Sequence, residues 1–264
     1  MQWSSLAPAR RRLFAVIIAV VVVAAVALAV FAWRDSRQDA LVPVSQTSPG
    51  PVLLVPGYGG STSALEELAS VLEAQGRQTV IVPAVGDGTG ALHEQAEALD
   101  AAAREVLQRT GAPSVDVVGY SAGGVITRQW VKDYGGGNLV RRVVTLGSPH
   151  HGTDAARFAA ALAPNECPEA CQQLRNDSDF INELNAGDES PDGPVWVSLW
   201  STSDELVVPP EQSALDGGIN ASVQSLCGDA PIAHGDLPRT ASVQNLTAAA
   251  LTPRTLTELT ASDC

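Results

Sequence analysis

The chain has 264 residues and a formal net charge of −13, and its first 33 residues contribute three arginines but no acidic residue. The remainder is therefore strongly acidic, which argues against a nucleic-acid partner and against adhesion to anionic membrane surfaces. Residues 50–264 are enough for one α/β domain with a sizeable core.

The N-terminal segment differs from the rest in composition. Arg10, Arg11 and Arg12 precede an uncharged, mostly aliphatic run from Leu13 to Trp33, which is long enough to cross a bilayer as a helix. The arginines place the N-terminus on the cytoplasmic side. We therefore predict that residues 1–33 are a signal anchor, the alternative being a signal peptide cleaved after Ala27-Leu28-Ala29. Either way the rest is exported, and residues 34–49, rich in Ser, Gln, Asp and Pro, are predicted to be a linker.

Four cysteines lie in the exported part: Cys167, Cys171, Cys227 and Cys264. An even number in an oxidising compartment indicates two disulfides, with three possible pairings. We favour Cys167–Cys171 as a local clip and Cys227–Cys264 as a tie for the last residue. A metal site is not expected, because paired C-x-x-C spacing and neighbouring histidines are missing from this pattern.

From Pro51 onward, short apolar runs alternate with segments of helical periodicity. The predicted strands are Pro51–Val55, Thr79–Val82, the run that begins at Val115, Val140–Leu146, Val195–Trp200 and Ile219–Leu226. The predicted helices are one that opens at a capping box Ser63–Glu66, then Leu92–Thr110, Val125–Tyr134, Asp154–Leu162, Ser178–Leu184 and Pro238–Leu251. This alternation predicts a mostly parallel, doubly wound sheet of about six strands. Residues 153–194 contain no clear strand and are expected to form a small cap-like insertion.

The strand that begins at Val115 ends in Gly119-Tyr120-Ser121-Ala122-Gly123 and passes at once into a helix. This G-x-S-x-G arrangement is typical of a nucleophile elbow, in which a strained turn exposes a serine hydroxyl. Small residues on both sides let strand and helix approach closely. The simpler interpretation, a glycine-rich turn without chemistry, is disfavoured by the strand before it and the helix after it.

A serine nucleophile needs a base within hydrogen-bonding reach, and the base needs an orienting acid. His234 is the one histidine that leaves room for the chain order serine, acid, histidine. Asp204 follows an apolar strand and should therefore lie at the carboxyl end of the sheet, where such sites are built. The simpler interpretations are a turn-capping aspartate and an exposed loop histidine.

An oxyanion hole requires two N–H donors aimed at the developing negative charge. One should be the backbone N–H of Ala122, the residue after the nucleophile. The other should come from the glycine-rich loop 56–60, where Tyr58 is the favoured donor. A plain glycine-rich turn is the alternative interpretation of this loop.

Four motifs carry a resemblance to a known family: Val52–Ser61, Gly119–Gly124, the Thr-Leu-Gly-Ser-Pro-His-His-Gly-Thr run at 145–153, and the late Ser-x-x-Asp ending at Asp204. Together they resemble the class 2 bacterial triacylglycerol lipases and esterases, most closely exported actinobacterial members. The resemblance spans about residues 51–250 and implies an α/β-hydrolase fold, ester hydrolysis and no cofactor. It also implies Ser121, Asp204 and His234 as the triad, with Tyr58 and Ala122 as the oxyanion hole. Many members begin the oxyanion loop with His-Gly, whereas this chain has Pro56-Gly57.

The resulting hypothesis is an exported, membrane-anchored serine ester hydrolase that acts as a monomer on an ester or lipid substrate. Two alternatives remain open: an acyltransferase or amidase that acts on envelope components, and a non-catalytic hydrolase-like binding protein. The acyl pocket could be lined by the large apolar residues of the insertion, which could equally pack onto the sheet. These residues are Phe158, Leu162, Phe180, Ile181 and Leu184.

Overall fold

The computed structural model describes residues 17–23, 25–26, 44–228 and 230–264. The chain separates into two compact units, Met1–Leu41 and Val42–Cys264. In the first unit, residues 17–23 and 25–26 are helical. None of the helices within the described ranges combines the length and apolar character that a membrane span requires. Most of the run from Leu13 to Trp33, on which the predicted anchor rests, lies outside the described residues.

The second unit is built around a six-stranded sheet. Its strands are β1 (Val52–Val55), β2 (Thr79–Ile81), β3 (Val115–Tyr120), β4 (Val140–Leu146), β5 (Val195–Trp200) and β6 (Ile219–Ser222). All neighbouring pairs are parallel, and the spatial order is β2-β1-β3-β4-β5-β6. The strand order reverses between β1 and β3, which is the position where open α/β sheets form a crevice at their carboxyl ends. The predicted parallel, doubly wound sheet is confirmed.

Helices cover both faces of this sheet, and three more lie in the segment that joins β4 to β5. They are α1 (Ser63–Ala74), α2 (Leu92–Thr110), α3 (Ala122–Asp133), α4 (Asp154–Leu162), α5 (Glu169–Gln173), α6 (Asp179–Leu184), α7 (Val223–Cys227) and α8 (Ala241–Ala250). Short 3-10 helices lie at Gly136–Asn138, Pro164–Glu166, Pro210–Ser213, His234–Arg239 and Ala261–Asp263.

Alternate side chains of each strand enter two separate cores, because successive residues of a strand point to opposite faces. Leu53 and Val117 pack with α2 and α3 on one face. Leu54 and Val118 pack with α1 and α8 on the other face. The central strand β4 is buried at all seven positions, as expected for a strand covered by helices on both sides.

Several boundaries differ from the sequence-based predictions, and the helix predicted over Val125–Tyr134 spans Ala122–Asp133. The strand predicted over Ile219–Leu226 ends at Ser222, whose hydroxyl accepts from Ser225 N–H and caps α7. The helix predicted to begin at Pro238 begins at Ala241, because Thr240 is extended and Pro238 lies within a 3-10 helix. The predicted capping box is wrong, since Ser63 is the first helical residue of α1 and follows Thr62, which makes no side-chain cap.

The insertion 153–194 contains α4, α5 and α6 and lies at the carboxyl edge near the start of α2. Ala170 N–H donates to Thr89 O, and Leu92 N–H donates to the Gln173 side chain at 2.8 Å. Disulfides join Cys167 to Cys171 within this insertion and Cys227 to Cys264 near the C-terminus. These are the pairs favoured from the sequence.

A buried ionic cluster closes the opposite, amino end of the sheet. Asp116 is the second residue of β3 and accepts from Arg141 at 2.8 Å and 2.5 Å, and both side chains are fully buried. Arg77 adds a third contact to the same carboxylate at 2.5 Å. Arg141 also donates to Gln46 O and to Leu251 O. The cluster therefore attaches part of the predicted linker and the C-terminal segment to the start of the sheet.

We expect Asp116→Asn to lower the free energy of unfolding by about 3–5 kcal/mol, because it leaves the buried Arg141 guanidinium without a compensating charge. Chemical denaturation monitored by circular dichroism measures this change. Asp177→Asn is the matched control, since Asp177 pairs with Arg175 on the surface and such pairs contribute little. Equal stability of the two variants would contradict a stabilising role for the cluster.

Candidate active site

Ser121 lies on a strained turn between β3 and α3. Its φ is 55° and its ψ is −127°, and it is the one non-glycine residue with a positive φ in the described part of the chain. Such a conformation costs an L residue about 1–3 kcal/mol and persists where the surroundings enforce it. The turn therefore has the strained geometry that the G-x-S-x-G pattern predicts.

Glycines on both sides of Ser121 permit the close packing that enforces this turn. A Cβ on Gly119 would lie 2.6 Å from Gly124 N, and a Cβ on Gly123 would lie 2.8 Å from Pro56 O. A Cβ on Gly124 would lie 2.6 Å from Ser148 Cβ. Contacts below 3.0 Å are not tolerated, so β3, α3 and the ends of β1 and β4 can meet here only because side chains are missing at these three positions.

Three predicted residues from separate segments meet at this turn. Ser121 Oγ lies 3.0 Å from His234 Nε2, and His234 Nδ1 lies 2.6 Å from Asp204 Oδ2. The side chains of Asp204 and His234 are almost entirely buried. The separation of 113 residues between serine and histidine is bridged by the parallel sheet, whose strands all end at the same edge.

Asp204 is held in place by the chain that follows it. Its Oδ1 accepts from Leu206 N–H at 2.9 Å and from Val207 N–H at 2.8 Å. These two bonds occupy one carboxylate oxygen, while the other faces His234. A carboxylate fixed in this way selects the tautomer of His234 that carries its proton on Nδ1 and leaves Nε2 free to accept.

The loop after β1 packs directly against the serine. A Cβ on Gly57 would lie 2.8 Å from Ser121 Cβ and 3.3 Å from Ser121 Oγ, so glycine is needed for this approach. Tyr58 N–H donates no hydrogen bond within the described part of the chain. Ala122 is the first residue of α3, so its N–H precedes the intrahelical ladder. Gly57, which precedes Tyr58, and Ala122 thus lie on either side of Ser121, and the two oxyanion roles stay predictions.

A narrow cleft opens beside these two residues. It is lined by Val55, Pro56, Gly57, Tyr58, Val82, Pro83, Ala84, Gly88, Leu92, Gln95, Ala122 and Ile126. Most of this lining comes from the loops after β1 and β2. Of the residues predicted for an acyl pocket, Ile181 and Leu184 instead belong to the core on the α2–α3 face, with Phe180 packed against it. Phe158 and Leu162 are exposed on α4.

The other two histidines near the elbow take no part in this arrangement. His150 is fully buried, its Nε2 lies 3.0 Å from Thr145 Oγ1, and burial together with the Arg128 charge lowers its pKa well below 6.5. His150 is therefore neutral at physiological pH. His151 pairs with Glu189 at 3.0 Å. The structure thus separates both from Ser121, in agreement with their omission from the predicted triad.

Gly147, which directly follows β4 at a φ of 55°, was not among the predicted site residues. A Cβ there would lie 2.5 Å from Leu237 Cδ1, 3.1 Å from Asp204 Oδ2 and 3.3 Å from His234 Nδ1. The absence of a side chain at Gly147 therefore leaves the space that the Asp204–His234 pair occupies. Its place directly after a buried strand was the signal available from sequence.

Comparisons with known proteins agree with this architecture. Residues 50–169 match a family model described as "alpha/beta hydrolase fold". Lipase B of Aspergillus fumigatus is similar with a TM-score of 0.69 and 21% identity, over 79% of this chain and 55% of that chain. This chain thus spans little more than half the length of the fungal lipase.

Two bacterial structures are also similar. The mature lipase BlEst2 of Bacillus licheniformis gives a TM-score of 0.52 at 23% identity, over 61% of this chain and 69% of that chain. The lin2722 product of Listeria innocua gives 0.57 at 16% identity, over 80% of this chain and 96% of that chain. The chain has the α/β-hydrolase fold.

Within the α/β-hydrolase fold, Ser121, Asp204 and His234 occur in the order that the fold uses for nucleophile, acid and base. The finer resemblance to class 2 bacterial lipases is not addressed by these comparisons and stays a prediction. The catalytic roles likewise stay predictions, and the geometry gives them their physical basis.

We expect Gly147→Ala to reduce the catalytic rate constant at least tenfold, because the new methyl group would displace Asp204 or His234 and a shift of about 1 Å can cost 10²-fold. Steady-state kinetics on a chromogenic ester would measure the loss. Gly76→Ala is the matched control, since Gly76 also has a positive φ but nothing within 4 Å of its Cβ position. Equal activity in both variants would mean that Gly147 does not support the pair.

Proposed function

We propose that this protein is a serine hydrolase that cleaves carboxylic esters, with Ser121 as nucleophile, His234 as general base and acid, and Asp204 as the orienting carboxylate. The observation that carries the proposal is the continuous chain of contacts from Ser121 Oγ through His234 to Asp204, at 3.0 Å and 2.6 Å. Both distances are within the range required for proton transfer and for orientation of the base.

In the first half-reaction, Ser121 Oγ attacks the ester carbonyl while His234 Nε2 takes the hydroxyl proton. The tetrahedral intermediate then collapses, the bond to the alcohol oxygen breaks, and His234 returns the proton to the leaving alcohol. In the second half, water attacks the acyl-enzyme, His234 takes a proton from that water, and the acid leaves as Ser121 regains its hydrogen. Asp204 stabilises the imidazolium in both halves and stays ionised.

The developing oxyanion would be stabilised by the N–H groups of Tyr58 and Ala122. The close approach of Gly57 to Ser121 and the position of Ala122 at the start of α3 support this assignment. The replacement of His-Gly by Pro56-Gly57 leaves both main-chain donors intact. Removal of one such donor from a comparable site typically costs 10²–10³-fold in rate.

The substrate proposed is an ester with an apolar acyl group. Large apolar side chains are exposed on the loops and helix that leave the carboxyl ends of β1, β2, β4 and β5: Tyr58, Val85, Phe158, Leu162 and Leu206. Their exposure in an otherwise acidic protein favours an apolar ligand over a charged one. The two disulfides support export to an oxidising compartment.

We expect Ser121→Ala to lower the rate constant on a chromogenic acyl ester by at least about 10³-fold while the fold is retained, because the nucleophile is lost but binding remains. Retention of full activity by Ser121→Ala would refute the proposed nucleophile.

Ser121→Gly is the matched companion variant, since it also lacks the hydroxyl but relieves the positive φ. Its free energy of unfolding, measured in denaturant, should be about 1 kcal/mol higher than that of Ser121→Ala, because only glycine adopts such a conformation without steric cost. Equal stability of the two variants would argue against strain at the turn.

Partition of the acyl group between water and an added alcohol or glycan acceptor separates a hydrolase from an acyltransferase.

A further inference from the structure

We infer that Tyr120 and Glu205 are positioning residues that hold the main chain of His234 from both sides, so that its imidazole stays between Ser121 and Asp204. This inference rests on the proposed function of Ser121 and His234. It concerns two residues that the triad does not include, each of which is the chain neighbour of a triad member.

The His234 peptide groups are both held by side chains. Glu205 Oε2 accepts from His234 N–H at 3.1 Å. The Tyr120 hydroxyl donates to His234 O at 3.2 Å. With the ring bonded to Asp204, the residue is fixed at its N–H, at its C=O and at Nδ1, and its remaining ring nitrogen faces the serine.

The 3-10 helix that carries His234 packs on the core through Leu237 but supplies limited hydrogen-bonded support of its own. His234 is the first residue of a 3-10 helix that ends at Arg239, and the residue before it, Ala233, is extended. Short 3-10 helices have poor hydrogen-bond geometry and contribute little rigidity of their own. The far end of this helix is attached to α1, where Arg239 donates to Glu67 at 2.8 Å and to Ser63 at 3.0 Å.

Tyr120 is suited to this role by its position and chemistry. It is the last residue of β3, and its ring lies 5.3 Å from the His234 ring at an interplanar angle of 33°. Burial, together with the Asp204 charge, raises the pKa of Tyr120 to about 12. Its hydroxyl therefore stays protonated, as a donor to a carbonyl must.

Glu205 brings a negative charge to the same residue. The ionisable groups that face this region are Asp204 and Glu205 after β5, Tyr120 on β3, and Asp236 and Arg239 on the 3-10 helix. Glu205 thus brings two separable features to His234: a hydrogen-bond acceptor for its main-chain N–H, and a negative charge.

Three variants separate the contribution of the two hydrogen bonds from that of the Glu205 charge. Tyr120→Phe removes only the hydroxyl, Glu205→Gln keeps an acceptor but removes the charge, and Glu205→Ala removes both. We expect Tyr120→Phe and Glu205→Ala to lower kcat on a p-nitrophenyl ester about tenfold with little change in KM, as loss of one ordering hydrogen bond predicts. Glu205→Gln should keep kcat within about threefold of the wild-type value, since the amide oxygen can still accept.

Rescue of kcat by the conservative Glu205→Gln variant, together with a loss of kcat at nearly constant KM in Tyr120→Phe and Glu205→Ala, is the readout that a merely structural role would not produce. The rate constants are divided by the fraction of protein that a fluorophosphonate labels at Ser121, so that misfolded protein does not count.

Tyr134→Phe and Glu105→Gln are the matched controls. Tyr134 follows α3, with its hydroxyl 3.4 Å from Glu97, and Glu105 is exposed on α2 beside Arg109. Both should retain wild-type kcat and KM.

Tyr120→Phe and Glu205→Ala with kcat per labelled site within twofold of the wild-type value would overturn the positioning role and leave the proposed function standing. Equal losses in Glu205→Gln and Glu205→Ala would also overturn it. Failure of the wild-type protein to be labelled at Ser121 would instead refute the proposed function itself.

Discussion

Ser121 occupies a main-chain conformation that an L residue rarely adopts, and the packing on every side of it depends on that one turn. Gly119 and Gly123 let β3, α3 and the end of β1 approach to distances that a Cβ would prohibit. The same approach brings Gly57 against the serine and leaves the first N–H of α3 beside it. The backbone strain, the close packing and the position of the hydroxyl therefore all result from the same turn, because the helix cannot begin at Ala122 without it.

The rest of the sheet supplies what this turn needs at its carboxyl edge. Parallel strands deliver the loops after β1, β3, β4 and β5 to one side, and the order reverses between β1 and β3. Asp204 enters from β5 and His234 from a short 3-10 helix packed on the α1 face. Gly147, at the end of β4, has no side chain and so leaves room for their contact. At the amino edge, Asp116 and its arginines attach Gln46 and Leu251 to the sheet.

Charge is distributed differently at the two edges. The amino-edge cluster places Arg77 and Arg141 on one carboxylate, and a buried pair of this kind is costly to interrupt. Beside the elbow, Arg128 is buried against carbonyl and amide oxygens, and burial lowers its pKa to about 10. His150 is held neutral by burial nearby. The imidazole of His234, in contrast, is paired with a carboxylate and reaches Ser121 with its second nitrogen.

The amino-acid sequence by itself determined the order and type of most elements, because apolar periodicity and glycine punctuation are local properties. It also identified Ser121, Asp204 and His234 as partners, since motif and chain order restrict the choice. It did not reveal that α3 begins at Ala122, because Gly123 and Gly124 are poor helix formers and only contacts with β1 and β4 make them favourable there. Only the tertiary structure decided that Ile181 and Leu184 enter the core, that Gly147 faces the Asp204–His234 pair, and that Tyr120 and Glu205 reach the His234 main chain. These are contacts between distant segments, and their distances depend on how helices pack on the sheet rather than on any local pattern.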